Sequence, residues 1–211
     1  MLKGLKNRFW FIFLSILLGT GCNSSFKNEG EFLYWLNQIE NGYLKRNSAN
    51  GFSLSLKYLP PEYLAYLEVK KGGLDSDEKY ESLFNEFNKS RTFLFTIEHQ
   101  IPGVDATNYN IQSVSEFKER VSKLNFQIKE YIFFKTENGK KFKPVLTTFE
   151  NLYEIGGKKT FYIVFSKVKE IEDDSDKIDI VFEDPFFETG INHFVFDKKK
   201  IKCLPELLFI N

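Results

Sequence analysis

Short apolar runs separated by turn-forming residues fill the second half of the chain, and this pattern constrains the fold more than any other. Asn138-Gly139 and Gly156-Gly157 favour tight turns because these residue types tolerate positive φ angles. The apolar runs between the turns predict strands over residues 126–135, 142–149, 160–168, 178–183, 193–196 and 201–204. Neighbouring strands joined by such short connections pair antiparallel.

The first half of the chain mixes strand and helix patterns. Apolar and polar residues alternate over residues 52–58 and 92–98, which predicts two half-buried strands. Pro60-Pro61 ends the first strand and can begin a helix, because proline is tolerated in a first helical turn. Asp75 with Glu78, and Ser113 with Glu116, resemble capping boxes, and an apolar stripe at helical spacing follows each pair.

These elements predict an α+β fold, with an antiparallel β-meander sheet and about three helices packed on one face. No repeat, low-complexity tract or linker rich in proline and glycine divides residues 31–211. We therefore predict that residues 31–211 form a single α+β domain.

The first 22 residues have the layout of a secretory signal. Lys3, Lys6 and Arg8 make the start basic, and residues 9–18 are apolar apart from Ser15. Small residues then lead to Cys22, and the apolar run is too short to span a bilayer comfortably. We interpret residues 1–22 as a signal peptide; an uncleaved membrane anchor is the alternative.

The sequence Leu-Leu-Gly-Thr-Gly-Cys at residues 17–22 resembles the lipobox of bacterial lipoproteins. The resemblance implies that Cys22 is the lipidation site and the mature amino terminus, so the lipid on Cys22 would attach the protein to a membrane. It also implies a bacterial cell-envelope location. The residue after Cys22 is not aspartate, which is similar to lipoproteins that are routed to the outer membrane, so we expect the domain to be anchored there and to face the periplasm. Residues 23–30 are mostly polar and are predicted to form a short tether, about 25 Å long when fully extended.

Charge and cysteine content exclude several classes of function. The chain has 29 basic and 29 acidic residues, and removing the signal leaves three more acidic than basic residues. This balance is not that of a nucleic-acid-binding domain. Two cysteines and two histidines are too few for a disulfide framework or an ordinary zinc site. The chain lacks HExxH, GxSxG and CxxC motifs, so we expect no cofactor, no metal and no catalytic residue of a known motif. Cys203 is expected to be a small buried side chain.

Histidines and carboxylates supply the remaining catalytic candidates. His99 and His193 are expected to be hydrogen-bonded or exposed side chains rather than catalytic bases. Asp184 and Glu188 flank a predicted turn, and a pair of carboxylates at a cleft is the arrangement that glycosidases use. A periplasmic hydrolase of glycan or peptide, using Asp184, Glu188 or His99, is therefore one alternative function.

Aromatic residues raise a second alternative. The chain has 24 phenylalanines, and the strand over residues 160–168 is apolar on both faces, with Phe161, Ile163 and Phe165 on one and Tyr162 and Val164 on the other. An open face of this kind could form a groove for a lipid, but we expect ordinary core packing, because aromatic side chains more often fill cores than mark binding sites. We expect a membrane-anchored envelope lipoprotein whose domain is a non-enzymatic binding or interaction module with an envelope protein partner.

Overall fold

The computed structural model describes residues 25–72, 77–150, 157–167 and 175–208. The predicted signal peptide and Cys22 lie outside these ranges, as do Asp75, Gly156 and residues 172–174 of the acidic run. Among the helices that are described, none combines the length and the apolar character needed to cross a membrane.

The described residues form an α+β fold, which confirms the predicted class. The helices are α1 (Glu29–Leu36), α2 (Pro61–Gly72), α3 (Asp77–Phe87), α4 (Val114–Phe126) and α5 (Lys198–Lys202). The strands are β1 (Ser25–Phe26), β2 (Leu44–Ala49), β3 (Phe52–Leu59), β4 (Ser90–His99), β5 (Ile132–Lys135), β6 (Lys141–Phe142), β7 (Leu146–Glu150), β8 (Lys159–Ser166), β9 (Lys177–Glu183), β10 (Ile191–Asp197) and β11 (Glu206–Leu207).

Nine of these strands form two antiparallel sheets rather than one continuous meander. The larger sheet has the order β2-β3-β4-β8-β7 and the smaller has the order β10-β9-β5-β6. Asn50 and Gly51 connect β2 to β3 with φ angles of 48° and 77°, a pair of positive values that a two-residue hairpin turn requires. The remaining strands, β1 and β11, pair in parallel.

The two sheets pack face to face, and phenylalanine rings fill the space between them. Phe95 of β4 lies with its ring centroid 4.9 Å from Phe182 of β9, and Phe93 lies 5.3 Å from Phe196 of β10. Phe134 of β5 contacts Phe165 of β8 at 6.0 Å. Most of the phenylalanines that lie on strands belong to this core. Each sheet has one apolar face that must be covered, and the other sheet covers it.

One end of this sandwich is closed by α1, β1, β11 and α5, and we call it the α1 end. Trp35 packs on Tyr43 at 5.1 Å, Tyr43 packs on Tyr58 at 6.0 Å, and the Tyr43 hydroxyl donates to the Ile201 carbonyl. The other end of β3, at Phe52, is roughly 20 Å away along the strand. His99 lies there, so we call it the His99 end.

Three predicted segments differ from the structure. Residues 25–30 of the predicted tether belong to the folded unit, because Phe26 packs on Phe32 and Asn28 caps α1. The predicted strand over residues 126–135 begins only at Ile132, since α4 continues to Phe126 and a 3-10 turn follows. The predicted strand over residues 201–204 is wrong, because Ile201 and Lys202 lie in α5 and Cys203 caps its end. The Asp197 carboxylate caps the first turn of this helix.

Candidate functional site

His99 has a structural role at the end of β4. Its side chain is buried and packs between Phe52, at 5.0 Å, and Tyr109, at 4.5 Å. Its Nδ1 accepts a hydrogen bond of 3.1 Å from the backbone N–H of Ile101. In the neutral ring the proton is therefore on Nε2, so Nδ1 is not available to take a proton from a substrate. His99 fixes the start of the loop over residues 100–112.

Asp184 likewise holds a loop together. Its carboxylate accepts hydrogen bonds from the backbone N–H groups of Phe186 (2.7 Å), Phe187 (3.1 Å) and Thr189 (2.8 Å) and from the Thr189 hydroxyl (2.6 Å). The side chain of Phe187 is thereby placed in the core, 4.5 Å from Phe52. Glu188 is exposed, with a positive φ of 56°, at the tip of this loop. The predicted turn is confirmed, and the Asp184 carboxylate is fully engaged by hydrogen bonds from the turn.

Arg120 of α4 connects the two loops at the His99 end. Its guanidinium lies 5.5 Å from the centre of the Phe187 ring, donates to the backbone carbonyl of Tyr109 and pairs with Glu116 at 3.4 Å. Arg120 is not among the predicted site residues, because nothing near it in the chain indicates these contacts. Its interactions stabilise α4 against both loops.

A shallow pocket of about 220 Å³ lies between α4 and the larger sheet, beside an ion pair that the sequence did not predict. Lys159 Nζ is 2.8 Å from the Asp105 carboxylate, which also accepts from the backbone N–H of Thr107. Burial raises the pKa of Asp105, but the bonds from Lys159 and Thr107 more than offset that effect, so its pKa lies below the ordinary value. Asp105 is thus held as the carboxylate that closes this loop.

His193 forms a pair with Asp179 on the outer face of the smaller sheet. Nδ1 of His193 lies 2.9 Å from a carboxylate oxygen of Asp179, and the two residues are on the adjacent strands β10 and β9. Ile191 and Val195 flank His193 on the same face and are 67% and 41% exposed. The period-2 alternation of β10 places these three side chains together, so the pattern could have indicated the face but not its partner residue. We call Ile191, His193, Val195 and Asp179 the open sheet face.

The aromatic faces of β8 are not open in the way that a lipid groove would require. Phe161, Ile163 and Phe165 are at most 1% exposed, because this face packs against the smaller sheet. Tyr162 and Val164 on the other face are half-buried, and the Tyr162 hydroxyl donates to Glu150.

A second and larger shallow groove, of about 550 Å³, lies at the α1 end. Its lining residues are Ser25, Phe26, Gly30, Glu31, Tyr34, Trp35 and Gln38. Nearby, the Glu29 carboxylate accepts hydrogen bonds from Lys70 (2.6 Å) and from the hydroxyls of Tyr63 and Tyr66. The ammonium of Lys70 holds the pKa of Glu29 below its ordinary value. This network fixes α1 to α2.

Of the two cysteines, Cys203 lies within the described residues. Cys22 lies outside the described residues, and Cys203 is exposed, which contradicts the expected burial. Cys203 directly follows α5, where the chain turns towards β11, so it is left at the surface. Within the described ranges, no group of three or more histidine, cysteine, aspartate or glutamate side chains is arranged to hold a metal ion.

Comparisons with known proteins add a likeness without an activity. No family model matches the chain, and no curated protein does. A solved structure of a protein of unknown function from Burkholderia pseudomallei is similar, with 9% identity, 83% of this chain and 90% of that chain covered, and a TM-score of 0.41.

Proposed function

We propose that this chain is a bacterial envelope lipoprotein, attached to a membrane through lipid on Cys22, whose domain is a non-enzymatic interaction module. The observation that carries the proposal is the order of segments along the chain. A basic, apolar, cysteine-terminated segment ends at residue 22, and the described fold begins at Ser25, so a folded domain follows the lipidation site almost directly.

The roles of the candidate catalytic residues favour interaction over hydrolysis. His99 Nδ1 is engaged by a backbone N–H, and the Asp184 carboxylate accepts four hydrogen bonds that shape its own loop. The open sheet face instead offers exposed apolar side chains beside a His-Asp pair, a mixture typical of protein interfaces. We place the binding of an envelope protein partner on this face.

Metabolic labelling with a fatty acid tests the anchor. We expect the wild-type protein to incorporate label and to sediment with membranes, and Cys22→Ala to lose both properties. Cys203→Ala is the matched control, because it removes the other cysteine and should leave labelling unchanged. A Cys22→Ala protein that still carries fatty acid would refute the anchor.

Site-specific photo-crosslinking in intact cells tests the partner-binding face. A crosslinker at Val195 should give a discrete adduct, whereas one at Val114, which is also exposed but lies at the start of α4, should not. Equal adduct patterns at the two positions, or none at Val195, would contradict a role for the open sheet face.

A further inference from the structure

We propose that the α1 end of the domain lies directly on the phospholipid bilayer, with Phe26, Tyr34, Trp35 and Ile39 facing the lipid and the exposed lysines of α5 beside them. This inference depends on the lipid anchor proposed above. It adds which surface of the domain the membrane covers and which side chains meet the lipid.

The apolar part of this surface is exposed and aromatic. Tyr34 is 72% exposed and Ile39 is 47% exposed, although both lie in a fold that buries most of its large apolar side chains. Phe26 and Trp35, with ring centroids 5.7 Å apart, line the shallow groove between them. Tryptophan and tyrosine are the residues enriched where a protein meets the boundary between headgroups and acyl chains.

The adjoining helix α5 supplies positive charge. Its sequence is Lys-Lys-Lys-Ile-Lys, and Lys199, Lys200 and Lys202 are exposed. The ammonium of Lys200 reaches the backbone carbonyl of Glu40, the residue after Ile39, at 3.4 Å. Lys200 therefore borders the apolar patch, where its ammonium could contact lipid phosphates.

The path of the chain makes the bilayer the occupant of this surface. Only residues 23 and 24 separate Cys22 from β1, and three residue steps span at most about 10 Å. The position of β1 is fixed, because Ser25 and Phe26 pair with Glu206 and Leu207 of β11. A lipid on Cys22 would thus hold this end within about 10 Å of the headgroups, leaving too little room for a folded partner.

Fluorescence of Trp35 tests this orientation in the acylated full-length protein. The chain has two tryptophans, so Trp10→Phe leaves Trp35 as the sole tryptophan whether or not the signal is removed, and excitation on the red side of tyrosine absorption selects it. The protein is reconstituted into vesicles of phosphatidylethanolamine and phosphatidylglycerol, with and without lipids brominated near the headgroup end of the acyl chain. We expect brominated lipids to reduce the Trp35 emission.

Surface variants identify the contacts. Replacing Tyr34 and Ile39 with serine should reduce the quenching, and Lys200→Glu should reduce it most in vesicles rich in phosphatidylglycerol. The matched controls are Val114→Ser, an exposed apolar residue at the start of α4, and Lys118→Glu, an exposed lysine of the same helix. Both controls should leave the quenching unchanged. Circular dichroism verifies that every variant is folded.

The outcomes separate this inference from the proposed anchor. Mass spectrometry of the purified protein reports acylation of Cys22 independently. Acylated protein whose Trp35 is not quenched would overturn the orientation while leaving the anchor intact, and so would quenching that the control variants reduce equally. If emission changes with protein density in the vesicles rather than with brominated lipid, a second copy covers this surface and the inference is wrong. Absence of acylation would refute the anchor itself.

Discussion

Substitution of Asp184 by asparagine separates a structural carboxylate from a catalytic one. Each oxygen of the Asp184 carboxylate accepts from at least one backbone N–H in the loop over residues 184–190. An asparagine amide keeps one acceptor oxygen and turns the other position into a donor. Whichever way the amide is oriented, a backbone N–H of Phe186 or Thr189 then faces an NH₂ group instead of an acceptor.

The expected cost follows from the number of donors that lose their acceptor. Leaving a buried donor unsatisfied costs about 1–3 kcal/mol, so the one N–H that loses its acceptor should lower the free energy of unfolding by about 1–3 kcal/mol. The loop also places Phe187, which is 3% exposed, against Phe52, and loosening it weakens that contact. With a denaturant slope of about 2 kcal/mol per molar urea, the unfolding midpoint should fall by about 0.5–1.5 M.

Urea unfolding followed by circular dichroism measures this loss. Glu188→Gln is the matched control: Glu188 lies in the same loop but is exposed, so its substitution should change stability by less than about 0.5 kcal/mol. An Asp184→Asn protein as stable as the wild type would refute the structural role. Loss of activity on cell-wall fragments in that stable variant would support the hydrolase alternative.

Three further predictions test the core, a close backbone approach and an ion pair. Phe95→Ala should lower the unfolding free energy by about 3–5 kcal/mol in urea titrations, because Phe95 is fully buried between the sheets; a loss below 1 kcal/mol would contradict this packing. Gly157→Ala should lower the unfolding free energy by about 1–3 kcal/mol, because the new Cβ would lie 2.2 Å from the Val104 carbonyl oxygen. Gly30→Ala in α1 is its control, because the new Cβ meets only the Asn28 side chain at 3.4 Å, and it should be neutral or stabilising. Glu29→Gln tests pH dependence: the lowered pKa of Glu29 contributes stability that is present above its ordinary pKa of 4.5 and is lost as pH falls through the folded value. The wild type should therefore lose more stability than Glu29→Gln between neutral and acidic pH in thermal melts, and parallel pH curves would contradict the role of the ion pair.

Much of the secondary structure follows from local sequence patterns. The alternation over residues 52–58 became β3, and the Ser113 and Glu116 pair begins α4 as predicted, with the Glu116 N–H donating to the Ser113 hydroxyl at 3.1 Å. The sequence predicts a strand over residues 201–204, where α5 ends, because Ile201 and Leu204 fit a strand as well as a helix. Only the Asp197 side chain, which caps α5, distinguishes the two.

The division into two sheets and the candidate sites depend on contacts between distant parts of the chain. Nothing local indicates that Asp179 meets His193 or that Lys159 meets Asp105, since strand register and loop path decide both pairs. Asn50-Gly51, by contrast, is a local hairpin signal that identifies the β2–β3 turn directly, although this turn is not among the predicted ones.

The parallel pairing of β1 with β11 sets the order in which the molecule can finish folding. The first described strand has no partner until Glu206 and Leu207 have been synthesised, so the α1 end cannot close around a partly made chain. The step that completes this end of the fold therefore waits for the residues of β11. Shortening the chain at β11 would leave Phe26 without its strand partner Leu207.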